Sequence, residues 1–372
     1  MHELHSLARL QRMSCNAPRV IAHDFATRSP IPLNPRTSFY EAHSDKSVFF
    51  LSSLRPRMSD RDWKLARLPS KVVPMSSSTL HDLPKPSLPS SSSDAHAYVL
   101  GTGIDEAQRL GLQHRLWSSH THRLWELAGI QPGNIVIDLG CGPGHAAIDL
   151  AQIVGQSGRV IAVDESAAFL KQLRDHASSR GLENINRVLG DVQELDECIE
   201  GGVGENKQGT VDVAYARWTF CFVNSPEAVV RSLAPIMKVG GKLVVQDYFN
   251  YERCMTLAPR REPFTKVINA VAASWRSRGG DTDVMGKLPS ILHKNGFDVT
   301  HLDVVQRIAR PGTTLWHWPT SFFANFVPKL IETGFITMED AHKFFVAWEE
   351  ASKDPGSFIQ LPPVYELIAV KR

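Results

Sequence analysis

Val136-Ile-Asp-Leu-Gly-Cys-Gly-Pro-Gly144 decides how the rest of this chain is read. An apolar strand ends on Asp138, the chain turns through Gly140, Gly142 and Gly144, and the pattern then predicts an amphipathic helix over His145 to Val154. Glycines at such a turn let backbone approach a ligand where any Cβ would clash. The helix start behind them offers unpaired N–H groups and the positive end of its dipole. A second apolar strand, Arg159 to Val163, ends on Asp164, at the sequence distance where an acidic side chain meets ribose hydroxyls. The unit reads as a nucleoside-binding βαβ.

The loop spacing narrows the nucleoside. Dinucleotide loops run G-x-G-x-x-G, because a pyrophosphate rests on the helix N-terminus. Here the order is G-x-G-x-G, with the carboxylate of Asp138 just before the first glycine. A carboxylate there repels a pyrophosphate and suits an ammonium group. S-adenosyl-L-methionine carries that group together with ribose, adenine and a sulfonium.

Ile137 to Gly144 resembles motif I of the class I, seven-strand S-adenosylmethionine-dependent methyltransferases. Later segments agree in order. Arg187-Val-Leu-Gly-Asp191 looks like the third strand, and Val211-Asp-Val-Ala-Tyr-Ala216 like the fourth, followed by Arg217, Trp218 and Thr219. Val239 to Asp247 looks like a turn, in which the Gly240-Gly241 pair reverses the chain, and a fifth strand; Gly296-Phe297 opens a sixth and Pro363 to Val370 supplies a seventh. The resemblance implies an α/β fold: a doubly wound, seven-stranded, mostly parallel sheet with an N-terminal lid helix and helical cap insertions. It implies a cofactor set of Asp138, Gly140, Cys141, Gly142, Gly144, Asp164, Glu165, Asp191, Val192 and Arg217, with Tyr98 as a cover. In this family Asp191 accepts from the adenine amino group. Cys141 reads as a small side chain filling the turn rather than a nucleophile.

Composition fits an enzyme of ordinary kind, with 42% hydrophobic and 22% charged residues. No run approaches the ~18 apolar residues of a membrane span. Five scattered cysteines fit a reducing compartment, which points to the cytoplasm. The net charge of +2 hides an asymmetry: residues 1–95 hold 13 basic and 8 acidic side chains, leaving 28 against 31 for the rest. The later part lacks the basic face of a nucleic-acid binder. Residues 1–95 are rich in Ser and Pro, with Pro84, Pro86, Pro89 and the run Ser90 to Ser93, and are expected to be a disordered extension. Arg9, Arg12, Arg19, Arg28 and Arg36 also allow a mitochondrial presequence, and Met75 allows a later true start.

Residues 96–372 are then the methyltransferase domain. Ile104 to Leu127 reads as the lid helix, and the inserts at 251–292 and 308–355 read as helical roofs over an acceptor pocket. Trp316-His-Trp318 opens the second insert and predicts an aromatic-lined cavity for a flat small molecule. His114, His120 and His122 lack an evident carboxylate or cysteine to complete a metal shell. Methyl transfer from a sulfonium needs alignment above all. A base is needed only for a weakly acidic acceptor, for which His317, Asp247 and Tyr248 are candidates. The signature loops of nucleic-acid and arginine methyltransferases are missing after the fourth strand. The chain therefore most resembles small-molecule methyltransferases of the quinone-biosynthesis and secondary-metabolite kind, acting on oxygen or carbon. A non-catalytic S-adenosylmethionine-binding regulator and a nicotinamide-dependent oxidoreductase stay open as alternatives.

Overall fold

The computed structural model describes residues 104–195, 199 and 209–372. The extension at 1–95 and Tyr98 lie outside the described residues.

Two βα units come first after the long helix α1 (Ile104–Ala128): β1 (Ile135–Leu139), α2 (His145–Val154), β2 (Arg159–Asp164) and α3 (Ala167–Ser178). Then follow β3 (Ile185–Leu189), β4 (Val211–Arg217), α4 (Pro226–Leu233) and β5 (Met237–Tyr248). The sheet closes with β7 (Phe297–Val305) and β10 (Val364–Lys371), giving the seven-strand order β3-β2-β1-β4-β5-β10-β7. Strands β3 to β5 are parallel, and β10 runs antiparallel to both β5 and β7. The doubly wound, seven-stranded, mostly parallel sheet expected from the sequence is therefore present.

Near-continuous apolar strands are what a sheet covered on both faces requires. Ile137, Leu139, Ile161 and Val163 face one core cluster, whereas Val136, Val160 and Ala162 face the other, with α2 and α3 packed on the second. Strand order reverses between β1 and β4. Open α/β sheets bind ligands at the carboxyl ends of strands at such a point.

Two expectations are corrected. The Gly240-Gly241 pair does not reverse the chain before the fifth strand. β5 runs through it, with Gly240 at φ 79° and a register shift against β4 between Val211 and Val213. Two residues of β4 stand opposite five of β5 there, so three extra residues bulge out of β5, and Gly240 supplies a left-handed conformation inside that bulge as readily as inside a turn.

Nor are the inserts wholly helical. Beside α5 (Tyr251–Cys254), α6 (Glu262–Arg276), α7 (Leu288–Lys294), α8 (Thr314–Glu332) and α9 (Met338–Lys353) stand the short strands β6 (Thr256–Ala258), β8 (Ile308–Ala309) and β9 (Phe358–Gln360). They form a separate three-stranded sheet, β6-β9-β8. Strands of two or three residues are too short to carry a period-two pattern, and their partners are far apart in sequence. Among the described residues, no helix is long and apolar enough to cross a membrane.

Candidate active site

The glycine loop is built on backbone that side chains resist. Gly140, Gly142 and Gly144 stand at φ 65°, 54° and 84°. A Cβ on Gly144 would come within 2.2 Å of Leu173, and one on Gly140 within 2.7 Å of Thr219, so these two also let α3 and the β4 loop close on the turn. A Cβ on Gly142 would meet nothing within 4 Å, and Gly142 lines a cavity. Asp164 holds the loop in place: Oδ2 accepts from Gly142 N at 2.7 Å and Oδ1 from Ser166 N at 2.8 Å. Each oxygen keeps a second lone pair, and Asp164 itself lines the cavity.

A second constraint comes from the turn after β4. Trp218 is left-handed, φ 52°, a conformation that costs a bulky residue about 1–3 kcal/mol. It is over-determined by its neighbours. Trp218 N donates to Gln246 O at 2.9 Å, Thr219 Oγ1 to Leu139 O at 2.8 Å, and Cys221 N to Asp247 Oδ2 at 3.2 Å. The indole lies against Arg217 at 5.2 Å, Tyr248 at 6.1 Å and Trp318 at 6.1 Å. One continuous cavity of about 290 Å³ runs past it. Its lining includes the glycine loop with Asp164, Glu165 and Asp191, and also Tyr248, Tyr251 and Trp275, whose rings touch one another, with Trp318 and Phe322.

Arg217 ties this floor to α1. Its guanidinium donates to His114 Nδ1 at 3.0 Å and to Thr121 Oγ1 at 3.2 Å. Since Arg cannot accept, His114 carries its proton on Nε2 and donates it to Asp149 at 3.0 Å. Burial, and then Arg217, hold His114 below the usual histidine range, and burial takes His145 down to about 4, so both imidazoles are neutral at physiological pH. His122 also meets Asp149, at 3.1 Å. That carboxylate joins two of the three histidines of the α1 run, yet among the described residues no group of side chains is arranged to hold a metal ion.

The sequence-derived residues fall into three groups. Gly140, Cys141, Gly142, Asp164, Glu165, Asp191, Val192, Arg217 and Tyr248 line the cavity. Asp138 and Gly144 stand behind its wall: Asp138 is buried, one oxygen accepts from Ala147 N–H, and Oδ2 has no partner. Burial lifts its carboxyl to about 7, against the pull of Arg217. His317 and Asp247 do not line the cavity. His317 is exposed, while Trp316 stacks on Trp348 at 4.4 Å and only Trp318 faces the cavity. Successive helical residues point about 100° apart, so the Trp-His-Trp run cannot share one face. Asp247 is fully buried, lifted by that burial to about 6, and accepts backbone N–H groups of Tyr248 and Cys221. It shapes the loop rather than meeting a ligand.

Sequence reasoning missed Gln193, Asn224, Arg109, Gln113, Tyr251 and Trp275, all of which line the cavity. Tyr251 follows Tyr248 by three residues and had a visible signal. The others come from elements whose facing is settled only by packing.

Residues 130–276 match a family model described as a methyltransferase domain. The ubiquinone/menaquinone biosynthesis C-methyltransferase UbiE of Pseudomonas putida is 30% identical over 148 residues, 38% of this chain and 54% of that one. Its counterpart in Azotobacter vinelandii is 29% identical over 148 residues, 38% of this chain and 55% of that one. The chain thus spans about half the length of the curated relatives it matches. Among solved structures, the YcgJ protein of Bacillus subtilis is similar with 15% identity and a TM-score of 0.42, over 68% of this chain and 99% of that one.

Proposed function

We propose that this chain is an S-adenosyl-L-methionine-dependent methyltransferase with a class I methyltransferase domain as its core, acting on a small aromatic or quinone-like acceptor, at oxygen or carbon. The observation that carries this is one cavity lined both by the glycine loop and by an aromatic group in which Trp218 lies against Tyr248 and Trp318. The UbiE relatives, named for C-methylation in ubiquinone and menaquinone biosynthesis, favour a ring acceptor of that kind.

The polar groups of the cavity fit the cofactor. Asp164 and Glu165 offer acceptors for a ribose diol, Asp191 for an adenine amino group, and Gly142 leaves its Cβ side open to the ligand. Asp138 stands behind the loop with Oδ2 unpartnered, and an ammonium group bound nearby would favour its ionised form over the protonated form that burial favours. When bound, the cofactor supplies a methyl group already made electrophilic by the sulfonium.

The protein's part is then positioning. The loop from Arg217 to Cys221, held by Gln246, Leu139 and Asp247, sets the Trp218 indole as the wall between donor and acceptor. Trp275, Trp318 and Phe322 enclose a flat acceptor and exclude water. Alignment of this kind contributes about 7–11 kcal/mol to such reactions. Of the three candidate bases, Tyr248 alone reaches the cavity, and burial pushes its phenol well above the usual range. At neutral pH it is a hydrogen-bond donor, not a base.

Calorimetric titration of the full chain with S-adenosylmethionine, NAD and an Asp164→Ala variant tests the cofactor. Binding that weakens by about 1.5–3 kcal/mol in the variant is expected. A preference for NAD would return the oxidoreductase reading. Binding without methyl transfer to a panel of phenols and quinols would make the chain a non-catalytic cofactor-binding regulator.

A further inference from the structure

Tyr248 ends β5 and Tyr251 begins α5, with Asn250 between them in the left-handed region at φ 63°. The turn brings the two rings to 5.0 Å, edge to face at 73°. Both are nearly buried, at 6% and 3% exposure, and both line the cavity. Yet among the described residues no hydrogen bond engages either hydroxyl. Tyr215, a buried phenol away from the cavity, donates to Gln246 at 3.0 Å. Neither hydroxyl is a sealed, unpartnered atom of the kind that Trp218 Nε1 and Trp275 Nε1 are, so both donors reach the cavity and are available to whatever fills it.

The surroundings decide what these groups accept as a partner. Asp247, beside Tyr248, is turned to backbone N–H groups, and the Cys221 thiol is buried behind it. Glu252 of α5 is bound to Arg276 and Thr282. Arg109 of α1 is the cation acting on both rings, and it pairs with Glu106. Burial pushes both phenols above their ordinary range, so they remain donors at any physiological pH. Two neutral donors in an aromatic chamber, with no acceptor of their own, complement an oxygen. They gain most from a charged one, because charge-assisted bonds are roughly twice as strong as neutral ones.

We propose that the Tyr248 and Tyr251 hydroxyls form a two-donor pocket that holds the acceptor's ionised oxygen, so that the substrate is an acidic phenol or enol bound as its anion. This rests on the methyltransferase reading and supplies what that reading lacks, a way to activate the acceptor without a base. The acceptor's hydroxyl proton goes to water as the anion binds. The anion's electron pair, on oxygen or on the conjugated carbon, forms the new bond to the methyl carbon. The sulfur–methyl bond breaks and its electrons stay on sulfur, cancelling the sulfonium charge; after attack at carbon, the ring proton is lost to water.

The test uses 4-nitrophenol, whose anion is yellow, and its non-ionisable methyl ether 4-nitroanisole, with the full chain saturated with S-adenosylhomocysteine. The wild type is expected to bind the nitrophenol as its anion and to lower its apparent pKa. Tyr248→Phe and Tyr251→Phe are each expected to weaken that binding about tenfold or more, leaving 4-nitroanisole within about twofold. Each Phe keeps the ring, so chamber shape is conserved. Anion binding equal in wild type and variants, or a parallel loss for the ether, overturns the pocket. A separate titration with S-adenosylmethionine should be unchanged in both variants. Failure of the wild type there would instead overturn the methyltransferase reading.

Discussion

At the residue scale, glycines of one loop do different work. Gly144 combines φ 84° with a neighbour, Leu173 Cδ1, that would stand 2.2 Å from an added Cβ. Gly144→Ala is expected to cost roughly 2–5 kcal/mol, adding backbone strain to overpacking, and urea denaturation followed by tryptophan fluorescence would measure it. Gly142 has φ 54° and open space where the Cβ would go. Gly142→Ala should therefore lose only about 1–2 kcal/mol of stability. Its methyl enters the cavity, so its larger effect should be a tenfold or greater loss of S-adenosylmethionine affinity by calorimetry. Equal effects of the two substitutions on stability would show that the close approach of α3 is not what Gly144 permits. The glycine spacing was legible in sequence, but this difference in role was not, because it depends on Leu173 arriving from the next helix.

At the scale of elements, a polar contact between two cavity-lining residues, Gln113 and Trp318, joins α1 to α8. Gln113 Oε1 accepts both from Trp318 Nε1 and from Arg109 Nη1, each at 2.9 Å, so one amide oxygen joins the lid helix to the cap. Gln113→Leu leaves a buried indole N–H without its acceptor and takes one acceptor from a buried guanidinium. A loss of about 1–3 kcal/mol is expected in chemical denaturation. A change below a few tenths would mean that the two helices are held by apolar packing alone. Farther along α1, Thr121 Oγ1 donates to Gln246 at 2.7 Å and thereby anchors the same helix to β5. The amphipathic spacing made α1 readable as a helix. Its polar ties were not readable, since Gln246 and Trp318 lie more than a hundred residues away. The Trp-His-Trp motif was misleading for a related reason: a helix divides adjacent residues among different faces.

At the scale of the whole molecule, two fully buried carboxyls shape the response to pH. Burial lifts Asp138 to about 7 and Asp247 to about 6, whereas an unfolded Asp titrates near ~3.9. Between those values the folded chain holds protons that the unfolded chain has released. Their contribution to stability is therefore present at low pH, falls as pH rises from about 4 to about 7, and levels off above. Asp138→Asn keeps an oxygen for Ala147 N–H and cannot ionise, so it should flatten the upper part of that slope. Urea midpoints at stepped pH for wild type and variant check this; parallel curves would mean that Asp138 titrates as an ordinary carboxyl. The glycine loop and the acidic ends of its strands were determined by the sequence itself, whereas the sheet order was an implication of the resemblance to class I methyltransferases. The loop and the strands depend on local steric rules and on near-continuous apolar runs, which act within a few residues. The small sheet of the inserts, the facing of Tyr251 and Trp275, and the burial that turns Tyr248 from a candidate base into a donor were decided only by the tertiary structure. Each depends on which distant surfaces come together, and burial and its electrostatic cost belong to the assembled chamber rather than to any one segment of the chain.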